Sequence, residues 1–155
     1  MKPSSKISLR KASFPDIEFL WYLRNQPDVY KYSRQNQIVS WKEHIKWILP
    51  ILLGLSNKEL FLIQNLQTPI GQIRFDYQDF KEAEISISIL KEFQGKGFAT
   101  KTLNLAIKEI KEQNKVKLLI AVTDKENISS QKLFEKVNFR LKTKKGKWLR
   151  YILKI

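Results

Sequence analysis

The chain reads as an α/β (α+β) fold: a mixed, mostly antiparallel central sheet of about seven strands flanked by about four helices. Three observations predict this. Several short runs alternate apolar and polar residues, the period of half-buried strands. Other runs repeat apolar residues every third or fourth position, the period of amphipathic helices. The two kinds of run follow one another as strand, two helices, three strands, helix, strand, helix, two strands. At 155 residues, with no repeat, linker or low-complexity tract, the chain fits a single domain over residues 1–155.

The elements follow in order. Residues 7–12 alternate apolar and polar side chains and predict the first strand. Ser13, Pro15 and Asp16 are helix-start chemistry, and Ile17, Leu20 and Leu23 continue at helical spacing until Asn25 and Pro27 end the run. Residues 26–39, polar and aromatic, are expected to form a loop that could line a pocket. Ser40 and Glu43 have the spacing of a capping box, so a second helix is predicted over residues 41–53, kinked or shortened by Pro50. Residues 60–65, 70–77 and 83–90 then have strand character, separated by turns at residues 67–69 and 78–79. A long amphipathic helix follows from Phe98, with Ala99, Leu103, Ala106, Ile107 and Ile110 on one face. Residues 116–122 are apolar apart from Lys117, the pattern of a strand buried on both faces. A helix over residues 128–136 and two closing strands, residues 137–143 and 148–155 around a turn at 144–146, complete the order.

Composition removes several classes of chemistry. There is no cysteine, so disulfides, thiolate metal sites and a cysteine nucleophile are excluded. His44 is the one histidine, which rules out a multi-histidine metal site, and no metal is expected. As the sole histidine within an amphipathic helix, it reads as a structural hydrogen-bonder. The polar start, residues 1–6, lacks the apolar core of a signal peptide, and the longest apolar stretch, residues 47–55, is too short to span a bilayer. A cytoplasmic location with no membrane partner is the expectation. The formal net charge of +14 would attract a phosphate-rich small molecule, nucleic acid or anionic lipid. Only residues 142–147 form a dense basic cluster; elsewhere the lysines are spread out, and no nucleic-acid partner is expected.

The segment that carries chemistry is Gln94-Gly95-Lys96-Gly97-Phe98-Ala99-Thr100, between the strand ending at Ile89 and the long helix. Free N–H groups of a helix's first turn, aided by the helix dipole, make an anion site, and two glycines before them suit a close approach to phosphate. The segment is not a nucleoside-triphosphate loop, because Gly97 is followed by Phe98 rather than by Lys and then Ser or Thr. It is not a dinucleotide turn, which would follow the first strand of its domain.

With the strand before it, this segment resembles the cofactor motif Gln/Arg-x-x-Gly-x-Gly/Ala of the GNAT acetyltransferases. The stretch from Asn127 to Phe139 resembles that superfamily's second signature, Asn-x-x-(Ser/Ala)-x-x-Leu-(Tyr/Phe)-Glu-Lys-x-Gly-Phe. The resemblance covers nearly the whole chain in element order. It implies acetyl-CoA as cofactor, with the backbone of Ile87, Ser88 and Ile89 pairing with the pantetheine arm. Gln94, Gly95, Lys96, Gly97, Phe98, Ala99 and Thr100 would lie at the pyrophosphate, Asn127 would bond the arm, and Phe134 would stand beside it. Two departures matter. Phe134 stands where many relatives carry a tyrosine that protonates the leaving thiolate, and Asn138 replaces a glycine, a change asparagine accommodates because it tolerates left-handed backbone.

The resemblance further implies direct attack of an amine on the thioester, with Glu84 as candidate base and Glu82 as its neighbour to test. Residues 21–29 and 40–47 resemble GNAT members that acetylate a nucleotide-linked amino sugar, as in pseudaminic-acid-like surface-glycan pathways. They resemble ribosomal-protein N-terminal acetyltransferases less closely. Arg24, Arg34 and Arg74 are candidate phosphate partners; Tyr30, Trp41 and Trp47 are available to stack on a ring, and Asn25 stands among the substrate-binding residues. A peptide acetyltransferase and a non-catalytic binder of acetyl-CoA or RNA remain as alternatives, and the chain is expected as monomer or homodimer.

Overall fold

The computed structural model describes residues 6–155; the polar run of residues 1–5 lies outside the described residues. Strand β1 (Ile7–Lys11) leads through a single 3-10 turn (Phe14–Asp16) into α1 (Ile17–Arg24) and the short α2 (Pro27–Tyr30). After α3 (Trp41–Leu52) come β2 (Lys58–Asn65), β3 (Thr68–Gln78) and β4 (Glu82–Ile89). A second 3-10 turn (Lys91–Phe93) precedes α4 (Phe98–Gln113), followed by β5 (Leu118–Asp124), α5 (Ile128–Lys136), β6 (Arg140–Lys145) and β7 (Trp148–Lys154). The seven strands form one sheet in the order β1-β2-β3-β4-β5-β7-β6, and β4 with β5 is its parallel pair. The predicted architecture therefore holds, with five helices among the described residues rather than about four. No helix among the described residues is long and apolar enough to cross a membrane.

The additional helix is α2, inside the segment read as loop. Pro27 occupies its first turn, where a missing N–H costs nothing and the fixed φ suits a helix, and Gln26 before it is extended. The proline that ends α1 thus starts the next turn. Pro50 lies inside α3 without stopping it, two residues before the end. The β2–β3 reversal falls at Leu66, whose φ is 58°, so β3 begins at Thr68 and not after Pro69. Pro69 faces Gln64 where the register shifts, a place in which its missing donor is tolerated. The last hairpin also sits later than predicted: Val137 and Phe139 are buried in the connection after α5, and the turn is centred on Gly146.

Helices cover both faces of the sheet. On one face Leu103, Ala106, Ile107 and Ile110 of α4 and Phe134 of α5 pack against Ile73, Phe75, Ala83, Ile85, Leu119, Ala121 and Tyr151. On the other, Leu20 of α1 with Ile48 and Ile51 of α3 covers Leu60 and Leu62 of β2. A Cβ at Gly71 in β3 would lie 2.2 Å from the Ser88 carbonyl oxygen, so glycine is what lets β3 and β4 approach there.

The chain enters α1 through an ionic cap. Asp16, 8% exposed, accepts bonds from both terminal nitrogens of Arg10 at 2.7 and 2.9 Å and from the Ser13 amide at 2.8 Å. The bond from Arg10 is the main reason the Asp16 carboxyl lies below its ordinary range; burial opposes it and Ser13 adds to it. Because the folded pKa is depressed, the stability it contributes is present above the unfolded carboxylate pKa and is lost as pH falls through the folded value. Asp16→Asn should cost about 1–3 kcal/mol at neutral pH in urea unfolding. Its deficit against the wild type should shrink as the pH is lowered below about 4.

Candidate functional site

The site begins where two strands part. Strands β4 and β5 pair over three positions, Glu82 with Leu118, Ala83 with Leu119 and Glu84 with Ile120. Beyond these, β4 runs on to Ile89 and β5 to Asp124 without a ladder between them. Backbone groups of β4 beyond Glu84 that face the gap have no β5 partner and can take an extended ligand as an added strand, except the Ile89 carbonyl, which accepts from the Gln94 side chain at 2.8 Å.

The far end of β4 leads to the glycine turn. Gly95 and Gly97 have φ of 73° and 80°, and α4 starts at Phe98 directly after. The amide hydrogens of Gly95, Lys96, Gly97, Phe98, Ala99 and Thr100 meet no acceptor among the described residues. A Cβ built on either glycine would meet nothing within 4 Å, so the turn faces open space. Glycine is needed here for the left-handed backbone rather than to relieve crowding. No acidic residue lies in the first turn of α4, and the Lys96 ammonium lies 5.9 Å from the Phe93 ring. Six open amides, a helix dipole and a lysine make this turn chemically suited to an anion.

The other residues expected at the cofactor fall into two groups. The Asn127 side chain caps α5 by accepting from the Ser130 amide and the Ser129 hydroxyl, both at 3.2 Å, which leaves its amide nitrogen without a partner among the described residues. Gln94 spends its amide internally, donating to the Ile89 carbonyl at 2.8 Å and to Asp28 of α2 at 2.7 Å; its side chain ties the turn to α2 instead of pointing at the open amides. Phe134 is 3% exposed and meets Phe139 edge to face at 5.1 Å, part of the core beside α4. Asn138 has a φ of 73°, the left-handed conformation anticipated from its place in the second signature.

The opposite face carries a polar floor. Glu84, Ser86 and Ser88 of β4 stand opposite Asp76, Arg74 and Gln72 of β3, on the face that α1 and α3 cover. Glu84 is at the last rung before the strands part, and its carboxylate accepts from Arg34 at 2.8 Å. Arg74 donates to Asp76 at 2.6 and 3.2 Å, and Lys58 reaches the same carboxylate at 2.9 Å. Burial alone would raise the Asp76 pKa, but these two cations bring it below the ordinary value. Two guanidiniums lie over the Trp47 ring, Arg24 at 4.3 Å and Arg74 at 5.5 Å from its centroid.

Arg24 differs from Arg74 in having no carboxylate hydrogen-bonded to it among the described residues. It meets the Nδ1 atom of His44 at 3.1 Å, while the His44 Nε2 atom bonds the Ile17 carbonyl at 2.9 Å. Both contacts are satisfied by a neutral imidazole whose Nε2 carries the proton. Burial lowers the Arg24 pKa, as does the charge of Arg74, while the Glu43 carboxylate opposes both. Burial likewise lowers His44, which is fully buried and acts as the structural bonder anticipated. Asn25 does not face this cluster with a free group: its two ends bond the Val39 carbonyl and amide at 3.0 and 2.8 Å, closing the loop that carries Tyr30 and Arg34.

That loop borders a cavity of about 340 Å³ lined by Lys31, Tyr32 and Asn36, by Asp124, Lys125 and Glu126 at the end of β5, and by Lys147 of the last hairpin. The sequence expected residues 26–39 to line a pocket, and Lys31, Tyr32 and Asn36 do so; Asp124, Lys125, Glu126 and Lys147 were missed because they come from distant segments. Gln72 was missed too, although the alternation Gln72, Arg74, Asp76 in a central strand signals a polar face under a helix.

Comparison with known proteins agrees with the geometry. The acetyltransferase (GNAT) domain profile matches residues 6–140. An uncharacterized protein of Methanocaldococcus jannaschii, MJ1062, is 29% identical over 157 residues, covering 97% of this chain and 31% of its own length. The chain thus spans about a third of that relative. A crystallised domain from Methanocaldococcus jannaschii superposes with a TM-score of 0.86 at 28% identity, over 98% of this chain and 100% of that one. Spermidine N-acetyltransferase from Vibrio cholerae, solved with CoA and spermine, superposes with a TM-score of 0.82 at 20% identity, over 96% and 95%. With a profile that spans most of its length and a fold that matches throughout, the chain belongs to the GNAT acetyltransferase domain family.

Proposed function

We propose that this domain transfers the acetyl group of acetyl-CoA to the primary amine of an acceptor that carries negative charge, most concretely a nucleotide-linked amino sugar. When bound, acetyl-CoA supplies an activated thioester with a thiolate leaving group. The chain's own residues do the rest. The open amides from Gly95 to Thr100 would take the diphosphate, and the β4 backbone from Ile87 to Ile89, apart from the Ile89 carbonyl held by Gln94, would align the arm together with the Asn127 amide. Glu84, at the tip of the fork, would accept the amine's proton, with Arg34 holding its carboxylate in place. Phe134 has no proton to give, so the thiolate would leave without a side-chain acid from that position.

The observation that carries the acceptor class is Arg24. A partly buried guanidinium with a neutral imidazole as its bonded neighbour, lying over Trp47 with a second arginine over the same ring, has no carboxylate hydrogen-bonded to it, and Glu43 acts on it only through space. An anionic group on the acceptor would supply that bonded partner, and Trp47 and Tyr30 offer rings against a base or sugar. The nearby cavity, with lysines, carboxylates, an asparagine and a tyrosine in its lining, suits a hydroxyl-rich ligand bearing phosphate. A polycation such as spermine, bound by the Vibrio cholerae enzyme, would meet repulsion at this face. A second reading, a domain that binds acetyl-CoA without turning it over, draws on Phe134.

Thiol release over UDP-amino sugars, basic peptides, polyamines and aminoglycosides separates these readings. The first class should be consumed fastest; binding of acetyl-CoA with no release above hydrolysis from any amine would favour the non-catalytic reading. Arg24→Met should raise the KM for the charged acceptor roughly tenfold, about 1.4 kcal/mol, and leave acetyl-CoA affinity alone. Glu84→Gln should lower kcat more than it changes KM, and an unaltered kcat would remove Glu84 from the reaction. Gly97→Glu should abolish coenzyme A binding by calorimetry while the circular dichroism spectrum stays close to that of the wild type, since a side chain there meets open space.

A further inference from the structure

Gln72 is placed where an aliphatic residue would cost less. It lies mid-strand in β3, between Leu62 of β2 and Ser88 of β4, and is 4% exposed. Its neighbours across β2 on this face, Leu60 and Leu62, pack against Leu20, Ile48 and Ile51. Yet its Oε1 atom is buried with no hydrogen-bond partner, and its Nε2 atom makes no hydrogen bond among the described residues. An unpaired buried carbonyl lowers stability, whereas a leucine of similar size would add to the layer. A side chain kept at such a cost is characteristic of a recognition site.

Its surroundings say what it recognises. Ser86 and Ser88 stand on the adjacent strand of the same face, and neither hydroxyl has a protein partner among the described residues. Arg74, two residues along the same face of β3, leads to Trp47 and Arg24. One amide and two hydroxyls, all unpaired, therefore lie between the cation cluster and the free edge of β4. They match a ligand with neutral donors and acceptors, hydroxyl or amide groups, flanked by an anion.

We infer that Gln72 is a specificity-determining residue whose amide oxygen accepts a hydrogen bond from a hydroxyl or amide N–H of the acceptor. The inference rests on the reading that the acceptor enters over this face. A hydroxyl-bearing acceptor satisfies the buried carbonyl, and one lacking such a donor leaves it unpaired, which is how a polar pocket rejects analogues.

The test is Gln72→Leu in the full chain, read three ways. The melting temperature of the unliganded protein should hold or rise, because an unpaired buried amide is removed. Acetyl-CoA affinity should be unchanged. The KM for whichever amine the wild type acetylates fastest should rise about tenfold, with a smaller effect on kcat. A melting temperature lowered by about 3 °C or more would show that the amide serves the fold through interior water and would overturn the inference. So would an unchanged KM. Were no amine acetylated, the proposed function would fall, and the melting temperature alone would still decide whether Gln72 is structural.

Discussion

The early parting of β4 from β5 is the constraint on which the rest depends. Parallel strands held by a full ladder would present no backbone to a ligand; three rungs ending at Glu84 and Ile120 leave the remainder of β4 open on one side. The splay is stabilised by packing and not by hydrogen bonds. The α4 helix lies over Ala83, Ile85, Leu119 and Ala121, and the α1–α3 layer holds the other face through Leu60 and Leu62. With α4 over one face, the gap keeps open backbone on one wall, and the glycine turn places six unbonded amides at its end.

Two polar ties link the halves of this arrangement. Gln94 joins the cofactor turn to Asp28 of α2, and Arg34 joins the following loop to Glu84 at the fork. Both reach from one loop, which Asn25 closes at its base through Val39. The candidate base, the glycine turn and the acceptor-side loop are thereby held in one geometry by side chains far apart in sequence. Charge is distributed to match. Two guanidiniums gather at Trp47, whereas the basic run around Lys144 lies exposed on the edge strand β6, where charge discourages pairing with other chains.

Much of this was legible in the residues. Alternation in β1, β2 and β4, the capping box at Ser40 and Glu43, and the apolar face of α4 each dictated an element that the structure contains. The first signature segment pointed to the glycine turn and the open amides after it because such a turn at a helix start is a local feature. What escaped was whatever depends on contacts between distant segments. Pro27 punctuates one helix and starts another, and local pattern shows only the first role. The roles of Gln94 and Asn25 were obscured because their partners, Asp28 with Ile89 and Val39, come from the folded loop. The Lys147 side of the cavity and the orphaned amide of Gln72 require three-dimensional neighbours to be noticed at all.

The most direct test of the central claim, that the open edge of β4 and the amides entering α4 bind coenzyme A, is an amide-resolved NMR titration with that ligand. The account predicts the largest shifts at Ile87, Ser88, Ile89 and from Gly95 through Thr100, with little movement in β1, β2 or β6. Saturable binding that leaves those amides in place and perturbs another surface would contradict it.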